Sequence, residues 1–302
     1  MSSGEAISVT DLRYTYPGSD RETLHGLSFA VERGEVFGFL GPSGSGKSTT
    51  QKLLTGLLSD YEGHAAVLGR EVGGWDGAFY DRVGISGETP SHYRKLTGRE
   101  NLRLFASLHD VPTRDVDALF DLVGLGDAVD RRVGDYSKGM AMRLNLLRAL
   151  VHDPELLFLD EPTSGIDPGN ARTVKDVIAG LADEGRTVFL TTHDMAVAAE
   201  LCDRVAFLVD GRVPLVGDPD ELRREYGFRT VRVVTDDDGR ETTARFPLDG
   251  LPENPEFRSL FADGRVESVH TEEATLETVF LEVTGESLVP GDPAASAEGP
   301  DR

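Results

Sequence analysis

At 302 residues and 39% hydrophobic, the chain has enough material for one large domain and a small one, each with a buried core. A formal charge of −22, from 53 Asp and Glu against 31 Lys and Arg, opposes nucleic acid and anionic membrane surfaces as partners. No run approaches the ~20 consecutive apolar residues of a spanning helix, and MSSGEAISVT lacks the basic and apolar regions of a secretory signal, so the chain is expected to be soluble on its own.

Residues 6–16 and 24–40 alternate apolar and polar positions (Ile7, Val9, Leu12; Leu27, Phe29, Val31; Val36, Phe37, Phe39), which predicts an antiparallel sheet region. Val36–Leu40 is continuously apolar and runs straight into a glycine-rich loop. Residues 47–58 then predict a helix with Leu53, Leu54, Leu57 and Leu58 on one face. From about 98 to 151 the apolar spacing is helical throughout: Leu102-Phe105-Ala106-Leu108, then Val116-Leu119-Phe120-Val123, then Met140-Leu144-Leu147-Leu150. A strand at 156–160, a helix at 170–183, a strand at 187–191, a helix at 195–202 and a strand at 204–209 follow. Strands alternating with helices imply an α/β fold whose core sheet is parallel.

The composition shifts near Tyr226. Residues 228–284 predict a small α+β unit, with strands at 230–234, 242–246 and 266–270 and helices at 255–261 and 276–283. Residues 236–239, Asp-Asp-Asp-Gly, read as its hairpin turn. The tail after Gly285 is rich in Pro, Gly, Ala and Ser and is expected to be disordered. The expected division is thus 1–226, with a helical subdomain at about 90–151, then 227–284, then a tail at 285–302. Cys202 has no second cysteine to pair with, which fits a reducing cytoplasm, and reads best as a small apolar residue packed under the helix that precedes it. Only five of the basic residues are lysine, an acidic and lysine-poor balance similar to that of proteins from salt-loving microbes. An acidic mesophilic protein is the alternative.

Two motifs carry chemistry on their own terms. Gly41-Pro-Ser43-Gly44-Ser45-Gly46-Lys47-Ser48-Thr49 matches the phosphate-binding loop G-x-x-x-x-G-K-[ST]. Its glycines let backbone N–H groups converge on phosphates, and the following helix directs its positive end at them. Lys47 is placed to bridge the β- and γ-phosphates of a nucleotide, and Ser48 to ligate Mg2+. An ordinary glycine-rich turn is the alternative, and the strand before and helix after the loop argue against it. The second motif is the apolar run at 156–159 ending in Asp160-Glu161. It would deliver Asp160 to the Mg2+ shell and Glu161 to a water molecule. Alone it is weak, because many strands end in solvated acids; in a chain that already has the loop it is strong.

Over residues 6–226 the chain resembles the ABC ATPases. Asp135-Tyr-Ser137-Lys138-Gly139-Met140 lies where that family has its LSGGQ signature, Ser164-Gly-Ile-Asp167 resembles the D-loop, Thr192-His193-Asp194 the switch histidine, and Tyr16 the aromatic that stacks on adenine. Each has a plainer reading: Ser137 as a helix N-cap, His193 as a loop histidine, Tyr16 as sheet packing. Their common order is what favours the family. The resemblance implies a P-loop NTPase cassette with an antiparallel β subdomain and a helical subdomain, using ATP and Mg2+. It further implies a head-to-tail dimer of two ATP-binding subunits in which Ser137, Gly139 and the start of the helix after them in one face the γ-phosphate held by the other, with Lys138 and Asp167 also among the nucleotide-binding residues. Glu161 would be the general base and His193 would hold the γ-phosphate and the attacking water. Two departures stand out. Glu88 occupies the place of the Q-loop glutamine, where a carboxylate still ligates Mg2+ but lacks the amide donor. Lys138 and Met140 replace Gly and Gln of the signature; Lys138 either adds a cation beside the opposing phosphates or lies solvated on its helix.

The nearest branch is the ATP-binding subunits of drug exporters, which Glu88, Tyr136-Ser-Lys-Gly-Met140, Phe158-Leu-Asp-Glu-Pro-Thr-Ser-Gly165 and Ala274-Thr-Leu-Glu-Thr-Val-Phe-Leu-Glu282 resemble. That implies an integral membrane permease as a separate chain, met around residues 88–101, and a place at the cytoplasmic face of the membrane. The cargo is open between drug, lipid and polysaccharide. The rival is a soluble ABC ATPase without a transporter, such as an iron–sulfur assembly ATPase; the small unit at 228–284 leans toward the exporter. A P-loop kinase leaves Ser137–Met140 and His193 unexplained.

Overall fold

A computed structural model describes residues 4–226, 230–237, 240–262, 266–272 and 274–285. Of the turn expected at 236–239, residues 236–237 belong instead to a strand, and 238–239 lie outside the described residues, as does the tail from 286 onward. The chain divides into two compact units, Met1–Pro219 and Asp220–Arg302.

In chain order the first unit contains β1 (Glu5–Thr15), β2 (Glu22–Glu32), β3 (Val36–Leu40), α1 (Lys47–Leu54), β4 (Glu62–Val67), β5 (Arg70–Glu71), α2 (Gly77–Tyr80), β6 (Val83–Ser86), α3 (Gly98–Ala106), α4 (Val116–Leu122), α5 (Lys138–Leu150), β7 (Leu156–Asp160), α6 (Pro168–Asp183), β8 (Thr187–Thr192), α7 (Met195–Leu201), β9 (Arg204–Val209) and β10 (Arg212–Gly217). An antiparallel sheet has the order β2-β1-β4-β5, and a six-stranded sheet the order β10-β9-β3-β8-β7-β6. In the larger sheet β9, β3, β8, β7 and β6 are parallel, and only the edge strand β10 is antiparallel. This is the expected α/β architecture.

Phe29 on β2 packs against Phe37 and Phe39 on β3, at ring-centroid distances of 5.8 and 5.2 Å, and Phe189 on β8 joins them 5.4 Å from Phe39. Residues two apart on a strand share a face, so Phe37 and Phe39 both point at the antiparallel sheet. That aromatic layer is the apolar centre between the two sheets.

Three expectations need correction. The alternation over 24–40 predicts Val36–Leu40 in the antiparallel region, yet β3 is in the middle of the parallel sheet, flanked by β8 and β9. The helix expected over 47–58 stops at Leu54: Leu57 N–H bonds the Lys52 carbonyl at 2.8 Å and Gly56 N–H that of Leu53 at 2.9 Å, a Schellman stop that satisfies the last carbonyls. Leu57 is consequently 66% exposed instead of sharing the face of Leu53 and Leu54. Likewise Leu108 lies beyond the end of α3 and is 69% exposed. Residue spacing predicts no element where β4, β5 and α2 lie.

The helical layer is α3, α4 and α5. Thr97 and Glu100 form a reciprocal capping box on α3, fixing where that helix starts. Arg143 lies buried on α5, donating to the carbonyls of Val123 at 2.7 Å and Gly139 at 3.3 Å, and Arg148 covers the Phe105 ring 3.5 Å from its centroid. One face of α5 also holds the segment after β6. Asn145 Nδ2 donates to Ser86 Oγ and to the Gly87 carbonyl, both at 2.9 Å, Arg148 donates to the Ser91 carbonyl, and His92 Nε2 donates to that of Ala141 at 2.9 Å.

The second unit opens within α8 (Pro219–Tyr226) and continues with β11 (Thr230–Asp237), β12 (Arg240–Pro247), α9 (Pro255–Ala262), β13 (Val266–Glu272) and α10 (Leu276–Thr284). Its sheet has the order β12-β11-β13, all antiparallel. Val231, Val233 and Phe246 form its core, covered by Phe257 and Leu260 of α9.

Candidate functional site

The order of the parallel strands assembles the site. β3, β8 and β7 are neighbours, so Leu40 pairs with Thr192 and Asp160 with Thr191, and β6 adds Ser86 beside Leu159. The loops after these strands carry Gly41–Lys47, His193, Glu161 and Glu88. Ligands of open α/β sheets bind at this carboxyl edge.

The loop between β3 and α1 is built for close approach. A methyl at Gly41 would sit 2.1 Å from the Leu208 carbonyl oxygen, so only glycine lets the chain turn there against β9. Gly44 and Gly46 take φ of +84° and +113°, turning successive N–H groups toward one concavity. Lys47 is buried, and its Nζ donates to the carbonyls of Gly41 at 2.7 Å and Pro42 at 3.0 Å. Burial pushes the Lys47 ammonium below its ordinary pKa, while the charges of Glu161, Asp160 and Glu88, in that order, push it back up. Four charged groups from three chain segments, those at or after the ends of β3, β7 and β6, therefore share one field. Ser45 Oγ is buried without a hydrogen-bond partner among the described residues. An orphaned hydroxyl, a nest of amides and a buried ammonium at a helix N-terminus fit a nucleotide phosphate. Tyr16 is half-buried, its hydroxyl 3.0 Å from Thr49 Oγ1 and its ring edge-on to Tyr14 at 5.0 Å, which places it beside the first turn of α1.

Across the loop, Asp160 and Glu161 are both buried. Thr191 donates its hydroxyl to Asp160 Oδ1. Glu161 turns sharply away from β7 with φ +48°, a left-handed conformation that costs a non-glycine residue roughly 1–2 kcal/mol, and its N–H bonds the Thr191 carbonyl at 2.9 Å. Its Oε1 accepts from His193 Nδ1 at 2.7 Å and its Oε2 from Thr192 Oγ1 at 3.2 Å. His193 itself is 60% exposed. Among the described residues no group of three or more His, Cys, Asp or Glu converges as a metal cage. Mg2+ is commonly held by one or two carboxylates together with substrate phosphates and water, and the oxygens of Asp160, Ser48 and Glu88 suit it chemically.

A second group forms around α5. Ser137 caps that helix, accepting the Met140 N–H at 3.2 Å, so the plain N-cap reading describes its contact within this chain. Gly139 is buried, close to Ile166 and Asn170. Lys138 is exposed and lays its Nζ over Gly165. Asp167 caps α6, and the backbone N–H and then the side-chain amide of Asn170 hold its carboxyl below the usual range. Signature-like and D-loop-like residues thus meet each other, while the loop lysine, Asp160, Glu161 and His193 meet at the sheet edge. The sequence marks Thr192 only as the neighbour of His193, with no contact of its own, and does not single out Thr191 or Asn145. The pair Thr191-Thr192 directly before His193 was the available signal; nothing in the sequence marked Asn145.

Residues 24–164 match the ABC transporter family, and residues 229–273 match the fluoroquinolone efflux ABC transporter C-terminal domain. The chain is 54% identical over 285 residues to the fluoroquinolones export ATP-binding protein of Mycobacterium tuberculosis, covering 94% of this chain and 95% of that one. It is 36% identical to a daunorubicin resistance ATP-binding protein of Streptomyces coeruleorubidus, over 93% of this chain and 96% of the relative. A solved ATP-binding subunit of an ABC transporter superposes with a TM-score of 0.66 at 28% identity, covering 74% of this chain and 93% of that structure.

Proposed function

The chain belongs to the ATP-binding proteins of ABC transporters, and from that we propose that it hydrolyses ATP to drive export through a separate membrane subunit. The observation that carries this reading is the Glu161 carboxylate, buried at the sheet edge between His193 and Thr192 and sharing the electrostatic field of the loop lysine. Glu161 takes the proton of a water molecule that attacks the γ-phosphorus, giving ADP and phosphate. His193, half in solvent, holds that water and the departing phosphoryl oxygens. Lys47 and the loop amides neutralise charge on the phosphates, and Tyr16 lies where an adenine can stack. Mg2+ on Ser48, Asp160 and Glu88 would withdraw charge from the same phosphates.

Ser137, Lys138 and Gly139 serve the site of a second copy, so two chains form one working unit. The membrane permease meets the face around residues 88–101. A cleft of about 350 Å3 opens there between Pro90–Arg94 and Val133–Ala141. Among the described residues no helix is long and apolar enough to cross a membrane, so attachment to the cytoplasmic face runs through that partner. The exporters named above favour a drug or another small amphiphile as cargo. The test is phosphate release from Mg-ATP by the purified chain and by Lys47→Ala, alongside detergent co-purification with the product of a neighbouring membrane-protein gene. Equal ATP binding and turnover in the two forms would overturn the assignment.

A further inference from the structure

The Thr192 hydroxyl has one proton, and the structure fixes where it goes. The Asp194 N–H donates to Thr192 Oγ1 at 3.0 Å, and Glu161 Oε2 lies 3.2 Å from the same oxygen. With a lone pair taken by the amide, the proton is left for the carboxylate. The side chain is 1% exposed, so water does not compete for that proton. His193 Nδ1 occupies the other oxygen of Glu161, and the backbone beneath sits at φ +48°, a conformation the neighbouring contacts must hold in place. Asp194 in turn caps α7 through Oδ1, accepting from Ala196 and Val197 at 3.0 and 3.1 Å, which anchors the amide that orients Thr192.

We propose that Thr192 is the positioning residue of the general base: a hydroxyl whose direction is set by the Asp194 amide and which locks the rotation of the Glu161 carboxylate. One Glu161 oxygen is thereby kept in the buried wall, and the other is presented on the side of exposed His193, where water enters. This rests on Glu161 being the base. The chain does the same one residue earlier, where Thr191 donates to Asp160, so two adjacent hydroxyls of β8 each hold one of two adjacent acids.

Thr192→Val keeps the side-chain shape and removes the hydroxyl, and Thr192→Ser keeps the hydroxyl. A hydrogen bond to an ionised group is strong enough for its loss to lower kcat about 10–100-fold. The Val variant is expected to show that drop with KM and the dissociation constant of a fluorescent ATP analogue within about twofold. The Ser variant is expected to restore turnover to within about threefold. In a Glu161→Gln background the Val change should cost less than about twofold, because a residue acting through Glu161 has nothing left to position. A Val variant with parental kcat, a Ser variant as slow as Val, or a full additional loss in the Gln background would each overturn the inference. A Glu161→Gln protein with parental turnover removes the base itself, and the proposal falls with it.

Discussion

Glu161→Gln separates the role of the carboxylate from the shape of its site. Glu161 makes two side-chain contacts, from His193 at 2.7 Å and Thr192 at 3.2 Å. A glutamine has the same length and retains one carbonyl oxygen, which accepts the Thr192 proton. Its NH2 group then faces His193, whose ring accepts in the alternative tautomer. The left-handed backbone costs both residues alike, so fold and nucleotide binding should be kept. What disappears is a group able to take a proton from water. General-base assistance typically contributes 10²–10⁴-fold, equivalent to about 3–5 kcal/mol on the barrier at 1.36 kcal/mol per tenfold. Steady-state phosphate release should fall by that factor, while the fluorescent analogue binds within about threefold of the parent. Turnover within about threefold of the parent would refute the role. A matching loss of binding would show that the substitution had disturbed the loop instead.

Two further outcomes follow from burial and charge. His152 is 4% exposed, stacked on His109 at 3.8 Å, with Nε2 donating to the Val83 carbonyl at 3.1 Å. Burial, and then the neighbouring His109, push it down to about 4, although the carbonyl, Asp81 and Asp153 oppose the shift, against about 6.5 unfolded. The folded value being the lower, this contribution is whole above pH ~6.5, fades as pH falls toward 4, and amounts to about 3 kcal/mol at most. His152→Gln should show a flatter stability profile between pH 6.5 and 4 in urea titrations; parallel profiles would refute this. The salt-loving character suggested by composition has no support in the relatives, and it rests on the −22 charge and the scarcity of lysine. If it holds, the melting temperature rises from low to molar KCl as the Debye length shrinks to about 3 Å; an unchanged midpoint rules it out.

What the sequence disclosed was contiguous. The phosphate loop, the run into Asp160-Glu161 and the Thr192-His193-Asp194 segment each announce themselves within a few residues. The long helices after residue 98 were legible for a similar reason, since apolar spacing repeats along them. What it withheld was sheet order. Nothing local says that β8 lies between β3 and β7, yet only that order places Thr191 and Thr192 beside the two acids. The stretch 62–80 escaped because β5 has two residues and α2 four, too short for a period to emerge. Helix α1 looked longer than it is because Leu57 and Leu58 continue its apolar spacing, while the stop is made by backbone bonds to Gly56 and Leu57. Lys138, either phosphate-facing or solvated by its sequence, is exposed and rests over Gly165.

Asn145 gives α5 a mechanical property. Its amide fastens the middle of the helix to Ser86 at the end of β6 and to Gly87 just after it. His92 grips the helix at Ala141, four residues toward its N-terminus, and Arg148 holds Ser91 three residues the other way. At 1.5 Å per residue these contacts span about 10 Å of α5. The segment that carries Glu88 is thus clamped along two turns of the helix whose first residue follows Ser137.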